Sequence, residues 1–142
     1  MVGSRRAGRI GVAGMVFLLM VAACGDDDAL QPGPVTSFED IAGTYERQGP
    51  GPQGFFQFFE DGTGHLSSNR DLVEDRPSHI YETRFEGTTV FTKDTKGHCD
   101  DDDPGASYEI HLLENGNLRF VAIEDACAHR SSDLQAEWAP VP

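Results

Sequence analysis

Ser107-Tyr108-Glu109-Ile110-His111-Leu112-Leu113-Glu114-Asn115-Gly116-Asn117-Leu118-Arg119-Phe120-Val121-Ala122-Ile123-Glu124 is the stretch that decides the fold. Tyr108, Ile110 and Leu112 fall on one side of an extended chain, and Glu109 and His111 fall on the other. That is the period of a half-buried β-strand. Asn115-Gly116 supplies the positive-φ positions of a tight hairpin, so the two halves read as antiparallel neighbours.

The same pattern continues outward in both directions. Strands are expected at 41–47, 54–60, 64–68, 80–86, 88–93, 107–113, 118–124 and 134–138, with Asp61-Gly62 and Glu86-Gly87 marking further hairpins. Leu134, Ala136 and Trp138 are expected to point inward from the last strand. Short helices are expected over 69–75, stopped before Pro77, and over 37–41 with Ser37 as cap. No segment carries a long helical period. The run Phe55, Phe56, Phe58, Phe59 is apolar on both faces, so its outer face is either covered by another segment or a binding patch, and covering is the stronger reading. Eight strands in so short a chain close most economically into an all-β, antiparallel up-and-down barrel, with a β-sandwich as the alternative.

The N-terminus reads as an export signal. Arg5, Arg6 and Arg9 precede an apolar run from Ile10 to Ala23, which is shorter than the about 20 residues of a membrane-spanning helix. The run ends in Val21-Ala22-Ala23-Cys24, which resembles the lipobox of bacterial lipoproteins at all four positions. The resemblance implies cleavage before Cys24, a diacylglyceryl group on its thiol, and a lipid anchor on the extracytoplasmic side of the cell membrane. Two or more acyl chains hold a protein stably at a bilayer. Residues 24–36 are acidic and rich in Gly and Pro, and read as a solvated tether ahead of one domain over 37–142.

Removing residues 1–23 from the 142 leaves 119, enough for a single core, and takes the net charge from −13 to −16 because three arginines go with them. So acidic a surface repels phosphate backbones, which argues against nucleic-acid partners.

With Cys24 assigned to lipid, Cys99 and Cys127 remain as a pair in an oxidising compartment, and a disulfide is expected. Zinc is the competing reading, since His98 adjoins Cys99 and His129 follows Cys127, but no CxxC or HxxxH spacing supports it. Gly49-Pro50-Gly51-Pro52-Gln53-Gly54 matches GxGxxG in letters, yet precedes a strand instead of opening a helix, so no dinucleotide cofactor is expected. In the acidic run 100–103, Asp101 and Asp103 are weak calcium candidates without the closing glutamate of a calcium loop. There is no GxSxG, and the histidines at 65, 79, 98, 111 and 129 are scattered, so no enzymatic activity is expected.

Gly43-Thr44-Tyr45 on the first strand is similar to the Gly-x-Trp motif of the lipocalin-like (calycin) barrels, with Tyr in place of Trp. The resemblance implies that a late basic residue, Arg130, packs across Tyr45 and closes one end of the barrel. Such a cation-π contact contributes about 1 kcal/mol or more. The leading functional expectation is a non-enzymatic binding module that accepts a small apolar ligand in the barrel mouth, near Phe56, Phe58, Tyr81 and Phe85. A contact or structural module in the envelope, with the barrel filled by its own side chains, is the second expectation.

Overall fold

The structure, a computed structural model, describes residues 31–99 and 101–142. The chain forms β1 (Gly33–Pro34), β2 (Gly43–Gln48), β3 (Phe55–Phe58), β4 (Thr63–Ser67), a 3-10 turn (Arg70–Leu72), β5 (His79–Glu86), β6 (Thr89–Lys96), β7 (Ala106–Leu112), β8 (Leu118–Asp125), α1 (Ala128–Leu134) and β9 (Glu137–Pro140). All pairings are antiparallel. The sheet runs β7-β6-β5-β4-β3-β2-β9-β8, and β8 pairs back onto β7. Eight strands therefore close a barrel, and the sandwich is excluded.

The inward residues are those the alternation selects. Tyr45, Phe56, Phe58, Leu66, Tyr81, Val90, Tyr108, Ile110, Leu118, Phe120 and Trp138 form one buried cluster. One end of the barrel carries the tight hairpins, including Gly62 (φ 88°) and Gly116 (φ 82°), whose backbone a side chain would strain. The other carries the start of β5 and β7, the end of β6 and β8, and α1. These are called the hairpin end and the helix end.

Three expectations are revised. The strand expected over 134–138 begins only at Glu137, because 128–134 is helical: Arg130 and Leu134, one turn apart, both bury against the barrel. Leu134 and Trp138 do point inward, from a helix and a strand respectively, and the Trp138 indole donates to the Leu134 carbonyl at 3.1 Å. The segment 37–41 forms only a turn, with Ile41 N–H on the Phe38 carbonyl at 3.1 Å and Glu39 N–H on Ser37 Oγ at 3.2 Å. Within 69–75 the helix shrinks to Arg70–Leu72, capped by Asn69, whose side chain accepts from Asp71 N–H at 2.9 Å.

The stretch read as tether joins the fold before residue 37. β6 pairs with β7 only as far as Glu109, leaving the rest of that edge open. Gly33 and Pro34 pair there with Leu112 and His111, Val35 N–H donates to the Ile110 carbonyl at 2.8 Å, and Val35 is buried. An open edge is a template for unwanted pairing, and β1 covers it.

On the phenylalanine strand, Phe56 and Phe58 enter the core. The opposite face is covered in part by 69–76, whose Val73 carbonyl meets His65 Nδ1 at 3.1 Å, and the His65 ring sits 4.7 Å edge-on to Phe59.

Candidate functional site

The barrel interior, where a ligand was expected, is occupied by rings that meet across it. Phe56 on β3 lies 5.7 Å from Tyr81, 5.7 Å from Trp138 and 6.0 Å from Phe120, and Phe58 stacks on Phe120 at 5.9 Å. Phe56 also presses onto Gly64, where a Cβ would come within 2.8 Å of its ring, so Gly64 is what lets the ring lie there. Phe85 is only partly buried and packs on Phe38 at 4.5 Å. Phe56, Phe58 and Tyr81 are thus packing residues of one core.

Concavities lie elsewhere. A groove of about 520 Å3 includes Glu82, Arg84, Phe91, Lys93, Ser107 and Glu124. These alternate with the inward Tyr81, Val90 and Tyr108, so the groove is on the outer face. A smaller cavity of about 150 Å3 opens at the helix end, lined by residues that include Arg47, Ser67, Ser78, His79, Asp133 and Trp138.

Arg130 is the principal charged group of the helix end. It is 1% exposed, and α1 inserts it between the ends of β6 and β8 and the loop before β7. Its Nη1 donates to Asp103 at 2.6 Å and to Asp94 at 3.2 Å; Nη2 donates to Asp125 at 2.6 Å, and Nε to the same carboxylate at 3.1 Å. The Tyr108 hydroxyl also donates to Asp125. The expected stacking of Arg130 on Tyr45 is therefore corrected. Three carboxylates offer a buried guanidinium charge-assisted hydrogen bonds that a ring face cannot match. Among the described residues the cation-π contact is that of Arg84 over Phe91, at 4.8 Å. The Tyr45 ring instead meets Phe58 edge-on at 5.7 Å.

The titration behaviour follows from this geometry. Burial works against the charge of Arg130, but hydrogen bonds to Asp125, Asp103 and Asp94 outweigh it and raise its pKa. The Arg130 hydrogen bond holds Asp103 below the usual carboxylate range. Burial pushes Asp94 up, with Arg130 offsetting part of the rise. Around Asp94, the Tyr81 hydroxyl, Thr92 Oγ1, Asp94 Oδ2 and His79 Nε2 are buried without a hydrogen-bond partner among the described residues.

Cys99 and Cys127 form a disulfide, with Cα atoms 5.8 Å apart, which ties the β6–β7 loop to the start of α1. It gathers His79, His98 and His129 into a row, with ring centroids 4.7 and 5.4 Å apart. Among the described residues no three donor side chains are placed to hold a metal ion. Of the calcium candidates, Asp103 is taken up by Arg130 and by Gly105 N–H at 3.0 Å, and Asp101 is exposed in a turn. Cys24 and the lipobox lie outside the described residues.

Sequence reading missed Asp94, Asp125 and Asp133 as partners of the helix end, as well as Arg47. The one signal was the Arg130–Leu134 spacing, which marks an amphipathic turn. No family model, no curated protein and no solved structure matches the chain.

Proposed function

We propose that this chain is a lipid-anchored protein of the bacterial cell envelope, held on the extracytoplasmic side through Cys24, whose lipocalin-like barrel is a rigid, non-enzymatic scaffold for contacts with other envelope components. The four-position match of Val21-Ala22-Ala23-Cys24 to a lipobox supports the anchoring. The observation that carries the scaffold reading over that of an apolar-ligand carrier is the Phe56 ring, in contact with Tyr81, Phe120 and Trp138 across the barrel. An apolar guest would have to displace rings that already meet one another across the barrel.

Surface features suited to contacts are the outer groove, where Arg84 lies over Phe91, and the exposed Val121 and Ile123 on β8. Titration with an apolar fluorescent probe tests the reading. The native protein is expected to give no saturable binding, whereas Phe56→Ala opens a cavity that takes up benzene-sized molecules. Saturable one-to-one binding by the native protein, released by a fatty acid, contradicts it.

A further inference from the structure

The disulfide fixes more than its own two residues. His98 stands immediately before Cys99, past the end of β6, and His129 stands just after Cys127, in the first turn of α1. The bond therefore brings together two histidines that are far apart in sequence, and their ring centroids lie 5.4 Å from each other. Both residues are exposed. Neither ring has a hydrogen-bond or ion-pair partner among the described residues, so the ring nitrogens are free to ligate.

That separation is the one a shared metal ion requires. Two imidazoles on one tetrahedral zinc, each bound through a nitrogen at about 2.0 to 2.1 Å, have ring centroids about 5 Å apart. Rotation of two exposed side chains closes the remaining difference. His79, third in the row of rings, is 8% exposed and stays outside the pair.

The surroundings favour a dication. The acidic run 100–103 follows His98 closely, Asp101 and Asp102 are exposed in it, and Asp133 lies one turn after His129 on α1. In a chain of net charge −13 these groups draw cations to this end of the molecule. The imidazoles then select among them, because calcium and magnesium take oxygen ligands whereas zinc takes nitrogen readily. Two loops joined by the disulfide supply the ligands, which is why no spacing within one short motif marks them.

We propose that His98 and His129 form a disulfide-braced site for a divalent transition metal ion of the zinc type, with water completing the coordination. The bridge holds both loops in place before the metal arrives, so little ordering is left for binding to oppose.

Calorimetric titration of the detergent-solubilised, tag-free mature protein with zinc chloride tests this, with calcium chloride as the comparison. One zinc per chain is expected, accompanied by shifts of the His98 and His129 ring resonances in NMR, and calcium is expected to bind at least about tenfold more weakly. His98→Gln and His129→Gln each weaken zinc by at least about tenfold, whereas His111→Gln, on the outer face of β7, leaves it unchanged. Cys99→Ala with Cys127→Ala, which frees the two loops, also weakens zinc. The proposal is overturned if zinc does not saturate, if calcium binds as tightly as zinc, or if either His98→Gln or His129→Gln binds zinc like the native protein. Unchanged affinity in the folded double-cysteine variant overturns the bracing. The two histidine substitutions are at exposed positions and decide the matter if the cysteine variant does not fold.

Discussion

Arg130 shows how a single buried cation organises one end of the molecule. Its side chain is fully buried, and the side chains of Asp94, Asp103 and Asp125 are 6%, 9% and 1% exposed, so the group they form is shielded from water. Removing one partner of a buried ion cluster costs about 3 to 5 kcal/mol because the remaining charges lose their compensation. Arg130→Ala is expected to lower unfolding stability by about that amount, and Arg130→Lys to restore only part, since a lysine cannot present donors to three carboxylates at once. An unchanged urea midpoint in Arg130→Ala contradicts this account. His79 adds a pH dependence. Its folded pKa lies below 6.5, chiefly through burial and against the pull of Asp133. The unfolded chain therefore binds the proton more readily, and stability that is complete above about pH 6.5 falls as the pH drops toward the folded pKa. Asp94 acts with the opposite sign, because burial raises its pKa above 3.8 and acid relieves its charge. In His79→Gln, the loss of melting temperature between about pH 7 and 5.5 is expected to be smaller than in the native protein; equal losses in both refute the assignment.

At the scale of elements, the hairpins were legible and the helix was not. Asn115-Gly116 and Asp61-Gly62 declare their turns through the one residue that takes a positive φ without strain, and Tyr108, Ile110 and Leu112 set the register of β7 against β8. Residues 128–134 gave no such signal. Leu134, Ala136 and Trp138 mimic a period of two across a boundary where helix gives way to strand, and the inward position one turn earlier is an arginine, which hydrophobic patterning does not count. The acidic partners were illegible for a related reason: Asp94, Asp103 and Asp125 look like surface charges until the topology brings three strand ends to one place. The pairing of the cysteines was legible, since assigning one of three to lipid leaves two. Closing the 28-residue separation between Cys99 and Cys127 stabilises the fold by about 3 to 4 kcal/mol on the chain-entropy view. Cys99→Ser with Cys127→Ser is expected to lose that amount in denaturant unfolding, and to loosen α1 and with it the seat of Arg130. A double variant as stable as the oxidised protein contradicts this.

For the molecule as a whole, closure of β7 onto β8 removes the sheet edges, and β1 covers what is left of one of them. The chain enters through β1 at the hairpin end, so an anchor at Cys24 would hold that end toward the bilayer and leave the helix end, with its disulfide, ion cluster and small cavity, facing away. Nine residues fully extended reach at most about 30 Å, which bounds the distance from Cys24 to Gly33. Of the aromatic core, Tyr108 and Trp138 were assigned inward from alternation, whereas Phe56, Phe58 and Tyr81 were expected at a ligand mouth, because alternation fixes which face a ring takes and not how far it reaches across. Intact-mass spectrometry of the protein extracted from membranes is the most direct measurement of the central claim, that a lipid-anchored, disulfide-closed barrel is the working form. The account predicts a chain beginning at Cys24, heavier by a diacylglyceryl group and lighter by the two hydrogens of the Cys99 and Cys127 thiols. A chain beginning at any other residue, or one without lipid on Cys24, contradicts it.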